Sequence, residues 1–368
     1  MNGVIIIDKP AGWTSHDVVN RMRRLLGQRS VGHLGTLDPL ATGVLPLVTG
    51  SLTRLAQFYT ASEKTYEGII RFGFATNTYD ADGEPLELHV GIGETAPRVH
   101  EGSASRDHVG TAALGCPSGR RSDPTLDTLQ QLATKFQGVI EQTPPPFSAK
   151  KINGVPAYKL ARKQQEVILK PVQVEIKEFV ILSVDADRAR FRARVASGTY
   201  MRSVAHEMGQ LLGTGAHLES LRRTSVAEFD LTHSHTLEEI EASKIERQKE
   251  VEVCHSDRSF AFPQGKGSEV EEPAVLYTAH EDRASTINAG AKSFESLFIH
   301  PRQLLPQFPS VTADEPTAVR IRNGRPVNLP DVSRARHVKV FAGQANLIAI
   351  ATRIAGTLFH PKIVFPTE

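Results

Sequence analysis

The tract GHLGTLDPLATGVLPL at 32–47 holds the densest set of residues that could position a chemical group. Its single carboxylate, Asp38, precedes Pro39, which favours extended backbone geometry at Asp38. Three glycines permit a tightly folded loop around it. Leucine and valine side chains flank Asp38, and an unpaired carboxylate in apolar surroundings is costly, so we expect a cationic partner. An Asp-Pro pair also commonly starts a turn, and that simpler interpretation stays open.

The motifs of other common catalytic and metal-binding sites are incomplete or absent in the sequence. His206-Glu207 begins like the zinc motif H-E-x-x-H, but Gln210 replaces the second histidine. Two cysteines, Cys116 and Cys254, cannot build a disulfide framework or a four-thiolate zinc site. The sequence contains no Walker loop, no G-x-S-x-G elbow and no glycine-rich dinucleotide motif. It therefore favours chemistry that needs no cofactor and no metal.

Length and composition predict a globular chain of about two domains. The 368 residues are 40% apolar, and 43 basic residues against 41 acidic ones give a net charge of +2. Any site for a polyanion must therefore be a local patch. The N-terminal apolar run is four residues long, too short for a secretory signal, and no window reaches the length of a membrane span. We expect a cytoplasmic protein.

Hydrophobic periodicity predicts the elements that carry these residues. A helix should start at Thr14, where Thr14 and Asp17 have capping-box spacing, and end at Gly27. Further segments are predicted as a strand at 66–76, a helix from 126 to 136, strands at 172–176 and 179–184, a strand at 188–194 whose alternate arginines face outward and a helix at 200–212. The final 75 or so residues favour an all-β segment with a hairpin turn at Asn323-Gly324. Polar segments at 91–124 and 244–290 are predicted to be irregular insertions or linkers.

The loop tract closely resembles the catalytic motif of the TruB family of tRNA pseudouridine synthases, which isomerise uridine 55 in the T arm. Four further tracts resemble the family in the same order: DKPAGWTSHDVV, SEKTYEG, PPPFSAKKINGVPAYKLAR and SGTYMRSVAHEMGQLLGTGAHLESLRRTSV. The resemblance covers most of residues 4–230. It implies an isomerase that needs no cofactor and acts on a nucleotide flipped out of the folded T loop.

Roles for individual residues follow from this resemblance. Asp38 is expected to be the nucleophile and Arg202 its ionic partner, while Tyr66 stacks on the target base and assists proton removal at its carbon 5. Tyr200 is expected to line the pocket, and His33 to help hold the rearranged nucleotides. Without the resemblance, Arg202 would be interpreted as a surface arginine, Tyr66 as a core aromatic and His33 as a packed side chain.

Basic residues are expected to bind the RNA backbone. By resemblance, phosphate contacts are assigned to Lys9, Lys64, Lys150 and Lys151. Residues 148–171 contain six basic residues and one acid, Glu166, which makes this segment a local basic patch. The predicted partner is tRNA, with no membrane and no required protein partner, and the chain is expected to be a monomer.

The predicted fold is α+β: a catalytic domain with a mixed, mainly antiparallel sheet and flanking helices, followed by a small β barrel that resembles a PUA domain. The expected boundaries are 1–243 for the catalytic domain, 244–290 for the linker or insertion and 291–368 for the RNA-binding domain. Two alternatives stay open. One is a guide-RNA-dependent pseudouridine synthase, and the other is a tRNA-binding or tRNA-folding protein without essential catalysis.

Overall fold

The computed structural model describes residues 2–86, 124–152, 154–165, 167–256, 293–330 and 335–366. The chain forms two compact units. The first unit combines Met1–Thr65 with Arg222–Glu368, and the second is Tyr66–Leu221. The predicted insertion at 91–124 lies almost wholly outside the described residues, as does most of the predicted linker.

Helices and strands alternate along the described residues. The α-helices are α1 (Ser15–Leu26), α2 (Ala56–Tyr59), α3 (Leu126–Lys135), α4 (Ala157–Ala161), α5 (Met201–Leu212), α6 (Leu237–Ser256) and α7 (Glu315–Arg322). The first strands are β1 (Gly3–Lys9), β2 (Val31–His33), β3 (Thr42–Thr49), β4 (Lys64–Phe72), β5 (Gly138–Gln142), β6 (Lys151–Ile152), β7 (Val155–Pro156), β8 (Val172–Asp185) and β9 (Arg188–Val195). The remaining strands are β10 (Ala216–Val226), β11 (Phe229–Asp230), β12 (Ser234–His235), β13 (Phe298–Ile299), β14 (Ser310–Ala313), β15 (Val327–Asn328), β16 (His337–Ala342), β17 (Asn346–Ala355) and β18 (Leu358–Val364).

Local sequence signals set both ends of α1. The Thr14 side chain accepts a hydrogen bond from the Asp17 backbone N–H, and the Asp17 carboxylate accepts one from the Thr14 backbone N–H. Gly27 ends the helix in the left-handed conformation at φ 64°. Val18 and Met22 are fully buried on its inner face. The predicted capping box and C-terminal glycine are confirmed.

In the first unit, four strands follow the order β12-β1-β3-β10. Strands β1 and β3 are antiparallel, whereas β10 runs parallel to β3, with Arg222 opposite Thr42 and Arg223 opposite Gly43. The apolar run at the start of the chain is buried in β1, because this strand is covered on both faces.

The C-terminal part of the first unit is a five-stranded sheet in the order β14-β16-β17-β18-β15, which curls into a half-barrel. Its Phe341 and Phe365 belong to one apolar cluster with Val4, Ile6 and Val48. The prediction of an all-β segment is wrong, since α7 lies within it. Asn323-Gly324 is the C-terminal end of α7 and not a hairpin turn.

In the second unit, β4-β9-β8-β5 form consecutive sheet neighbours, and α3 packs on β8. The two strands predicted at 172–184 are one strand, β8, interrupted by register shifts. Strand β9 lies between β4 and β8, and the prediction of an outward-facing row of arginines on this strand is confirmed. Its alternate arginines point away from the core, and Arg192 pairs with Glu178 on β8.

One predicted irregular segment begins as a helix. Helix α6 continues to Ser256, so residues 244–256 are helical and the expectation of irregular structure is wrong there. The mixed, mainly antiparallel α+β fold with a small C-terminal β unit is confirmed.

Candidate active site

Lys9 ties the first loop of the chain to the Asp38 loop. Its side chain is fully buried, and its ammonium donates hydrogen bonds to the carbonyls of Pro10 (2.8 Å), Trp13 (2.6 Å) and Pro39 (3.2 Å). A lysine ammonium has three N–H donors, so these carbonyls match its capacity. Lys9 therefore holds these two loops together, and its contact with phosphate stays a prediction from the resemblance.

Ser15 holds the residue before Asp38 from a second direction. The Ser15 hydroxyl is buried, accepts a hydrogen bond from the Leu37 backbone N–H (2.8 Å) and donates one to the Leu37 carbonyl (3.1 Å). Both backbone groups of Leu37 are thereby satisfied by one side chain. Because Ser15 is the first residue of α1, the helix fixes the position of the Asp38 loop.

Arg223 supports the loop from β10. Its fully buried guanidinium donates to the carbonyls of Val44 (2.8 Å), Thr36 (3.2 Å) and Gly35 (3.0 Å). The parallel pairing of β3 and β10 requires glycine at Gly43, where φ is +96° and an added Cβ would lie 2.2 Å from the Arg223 carbonyl oxygen. Both ends of the loop are therefore fixed to the sheet.

His33 is a neutral neighbour of this loop. Burial, followed by the positive charges of Arg223 and His16, lowers the pKa of His33. Its Nδ1 accepts a long hydrogen bond from the Gly35 backbone N–H (3.4 Å), which places the ring proton on Nε2. A neutral, half-buried ring of this kind can pack against a base. Asp38 itself is half-buried, so its carboxylate is only partly shielded from solvent.

Lys64 lies beside the same loop. Burial, followed by the charge of Arg223, lowers the pKa of Lys64 to about 8. Its ammonium donates to the Ser62 carbonyl at 2.7 Å, and a Cβ added at Gly35 would lie 3.5 Å from its Cε. The first unit thus brings His33, Asp38 and Lys64 to one loop region.

Arg202 occupies the first turn of α5 in the second unit. Its side chain is 5% exposed and donates to the carbonyls of Thr78 (3.1 Å) and Phe147 (3.1 Å). It also forms an ion pair with Asp80 at 3.4 Å, and the Asp80 side chain is 6% exposed. The macrodipole disfavours a cation at a helix N-terminus, and the buried carboxylate of Asp80 offsets that cost.

Sequence reasoning did not identify Asp80. Its carboxylate accepts hydrogen bonds from the Thr78 hydroxyl (2.5 Å) and from the Asp82 backbone N–H (3.2 Å). The adjacent Tyr79 has φ +65° and stacks on His206 of α5, with ring centroids 3.8 Å apart. The missed signal was the need of Arg202, at a helix start, for a buried acid.

The remaining predicted site residues also lie in the second unit. Tyr66 is buried in β4, and Tyr200 precedes α5. The Tyr200 backbone N–H donates to the Gln142 amide oxygen (2.8 Å), and the Gln142 amide donates back to the Tyr200 carbonyl (3.1 Å). Lys150 and Lys151 are exposed at the start of the β6–β7 hairpin, where they can reach a polyanion.

Two family models match the sequence of this chain. One, described as "TruB family pseudouridylate synthase (N terminal domain)", matches residues 23–101 and 97–201, and "tRNA pseudouridylate synthase B C-terminal domain" matches 202–255. The tRNA pseudouridine synthase B of Solibacter usitatus is 40% identical over 367 residues, or 99% of this chain and 100% of that protein. This chain belongs to the TruB family. It is a TruB-type isomerase that forms pseudouridine in tRNA.

A further TruB relative is similar in sequence, and a solved structure shares the fold. The tRNA pseudouridine synthase B of Thermobifida fusca is 43% identical over 249 residues, covering 66% of this chain and 75% of that protein. A solved H/ACA RNP bound to a substrate RNA containing 2'-deoxyuridine shares the fold, with a TM-score of 0.58 and 20% identity. That match covers 99% of this chain and 85% of the other.

The described residues contain neither a cluster of potential metal ligands nor a candidate membrane span. Among those residues, no group of three or more histidine, cysteine, aspartate or glutamate side chains could hold a metal ion. Within the same part of the chain, no helix is both long and apolar enough to cross a membrane.

Proposed function

We propose that this TruB enzyme isomerises uridine 55 in the T arm of tRNA, with Asp38 as the nucleophile. The observation that carries the proposal is the fixation of the Asp38 loop by Lys9, Ser15 and Arg223. A carboxylate on a fixed loop meets the substrate without a further search of conformations, which lowers the entropic part of the barrier. An ionised carboxylate also needs no separate base to attack.

The reaction exchanges one glycosidic bond for another within the same nucleotide. The bond from the ribose to N1 of uracil breaks, and a bond from the ribose to C5 forms. A proton leaves C5 and N1 gains one, so no electron acceptor is needed. Tyr66 is proposed to stack on the uracil and to assist removal of the C5 proton. Tyr200 is proposed to line the same pocket.

Arg202 is proposed as the cation that keeps Asp38 ionised and oriented. The pairing with Asp80 supports this role, since it holds the guanidinium in a defined direction within the second unit. An arginine offers a planar pair of donors that a lysine cannot reproduce. Asp80 then acts as a positioning residue for Arg202.

The RNA must deliver a flipped uridine, because a base inside the folded T loop is not accessible. His33, neutral beside the loop, is proposed to pack into the vacated stack. Lys64, Lys150 and Lys151 are proposed to bind phosphates, and two of these lysines are exposed. The cytoplasmic location, the monomeric state and the absence of a required protein partner stay predictions from the sequence.

Asp38→Asn tests the proposal on an unmodified tRNA transcript. We expect pseudouridine formation to be abolished and RNA affinity to stay within about tenfold, because phosphate contacts supply most of the affinity. Asp127→Asn is the matched control, since Asp127 is an exposed aspartate on α3. A second transcript with cytidine at position 55 tests the site of modification.

Two results would contradict the proposal. Near-normal turnover of Asp38→Asn would show that another group is the nucleophile. Full pseudouridine yield from the cytidine-55 transcript would show that the enzyme modifies a different uridine. Normal RNA binding by the wild-type chain without any pseudouridine would favour a tRNA-folding protein.

A further inference from the structure

A groove in the first unit is lined by none of the proposed catalytic residues. Its volume is about 710 Å³, within the range of about 300–1,000 Å³ that small-ligand sites occupy. The lining residues come from the loop before α1 and from α1 itself: Gly12, Trp13, Asp17, Asn20, Arg23 and Arg24. The groove can therefore hold a group the size of one nucleotide.

Trp13 supplies an aromatic wall to this groove. It is the single tryptophan of the chain, and 36% of it is exposed. Gly12 beside it has φ +79° with open space where a Cβ would stand, so no side chain covers that side of the groove. An exposed aromatic ring is a stacking surface for any nucleic acid base, since every base has a π face.

Basic residues also line the groove and give it positive charge. Arg24 is exposed, and Arg23 is held by its hydrogen bonds to the Asn20 amide oxygen (3.1 Å) and the Val31 carbonyl (3.1 Å). The one acid, Asp17, directs its carboxylate to the Thr14 cap of the helix, which lowers the pKa of Asp17. Two arginines against one engaged carboxylate leave a net positive charge, which suits a phosphate.

The groove is bonded directly to the Asp38 loop. The Trp13 carbonyl and the Pro39 carbonyl accept hydrogen bonds from the same ammonium, that of Lys9. The Gly12 backbone N–H also donates to the Pro39 carbonyl at 2.9 Å. Since Pro39 follows Asp38 in the chain, an RNA whose uridine lies at Asp38 has its neighbouring nucleotides near this groove.

We propose that the groove binds one nucleotide of the RNA substrate other than the target uridine, with its base stacked on Trp13 and its phosphate on Arg23 and Arg24. The identity of the ligand as RNA rests on the proposed function. The groove then fixes the register of the RNA on the enzyme, and it contributes to affinity more than to the chemical step.

Trp13 provides its own readout, because the fluorescence of a chain with one tryptophan reports only on that position. The full chain carrying Asp38→Asn, which removes turnover, is titrated with an unmodified T-arm stem-loop RNA. We expect saturable quenching of the emission. Trp13→Ala should weaken binding of labelled RNA about tenfold, as expected for one lost stacking contact, and Trp13→Phe should retain most of it.

Arg24→Gln tests the phosphate contact. It should weaken binding and reduce the dependence of the logarithm of affinity on the logarithm of salt concentration by about one. Arg29→Gln is the matched control, an exposed arginine just beyond α1 that does not line the groove, and it should change neither quantity. Because both arginines and Trp13 are exposed, these variants should fold normally.

The outcomes separate this inference from the proposed function. Full pseudouridine formation by the wild-type chain, with unchanged tryptophan emission at saturating RNA, overturns the groove and leaves the catalytic proposal intact. Quenching and the affinity losses without any pseudouridine leave the groove intact and overturn the catalytic proposal. Quenching with normal affinity in Trp13→Ala also overturns the groove, because it reports movement of the loop and not contact with RNA.

Discussion

Ser15→Ala removes one hydroxyl that satisfies two backbone groups beside Asp38, the proposed nucleophile. In the folded chain the Leu37 N–H and carbonyl both bond to the Ser15 Oγ, at 2.8 and 3.1 Å, and Ser15 is 2% exposed. Each buried backbone group left without a partner costs about 1–3 kcal/mol. Alanine recovers up to about 0.5 kcal/mol through its higher helix propensity. We therefore expect the free energy of unfolding to fall by about 2–4 kcal/mol.

Thermal unfolding and single-turnover kinetics measure the two consequences. The loss of stability should lower Tm by about 5–10 °C. Because Leu37 precedes Asp38, the freed loop should also lower the rate of pseudouridine formation by at least about tenfold, with little change in RNA affinity. Thermal unfolding therefore measures the contribution of Ser15 to stability, and single-turnover kinetics measure its contribution to the position of the Asp38 loop.

Ser30→Ala is the control for the loss of a serine hydroxyl. Ser30 is exposed, and its hydroxyl makes a single hydrogen bond, to the Gly50 carbonyl at 2.9 Å. We expect its effect on the free energy of unfolding to stay below about 0.5 kcal/mol. If Ser15→Ala has the same Tm as Ser30→Ala and forms pseudouridine at the wild-type rate, the reasoning about the Asp38 loop is refuted.

Two further predictions concern charge. Asp80→Asn should destabilise the fold by about 3–5 kcal/mol and slow pseudouridine formation, since it removes a buried carboxylate that pairs with the buried Arg202. Asp82→Asn, at an exposed aspartate, is the control, and equal Tm values for the two variants would contradict the pairing. RNA affinity should fall as pH rises through about 8, where Lys64 loses its proton. Lys64→Arg should remove that part of the pH profile. A pH profile of Lys64→Arg identical to that of the wild type would exclude a phosphate contact by Lys64. The unfolded chain keeps this proton up to the ordinary lysine pKa of 10.5, so Lys64 makes the free energy of unfolding rise with pH between about 8 and 10.5, which urea titrations can measure.

Predictions from local sequence were reliable where the signal and the structure are close in the chain. The capping box of α1 spans four residues, and its glycine cap follows directly after the last turn. By contrast, the Asn-Gly pair predicted as a hairpin turn ends a helix, because both structures need a residue with positive φ at that glycine. A glycine with positive φ is therefore compatible with either a hairpin turn or the end of a helix.

The candidate site shows the same difference between what local sequence predicts and what depends on the fold. The types and spacing of residues in the 32–47 tract were sufficient to single out Asp38 and to expect a cationic partner for it. The sequence was not sufficient to show that Lys9 is a buried residue, because lysine side chains are usually exposed. It also gave no reason to separate Arg223 from its neighbour Arg222.

The sequence by itself determined local elements such as α1 and indicated Asp38 as the candidate nucleophile, since periodicity, capping residues and Asp-Pro geometry act within a few residues. Only the tertiary structure decided which polar groups hold the site together. Arg223 bonds to the Gly35 carbonyl 188 residues away, and Arg202 bonds to the Thr78 carbonyl 124 residues away. Such partners depend on strand pairing and on burial, because a buried donor bonds to whichever carbonyl the fold places beside it.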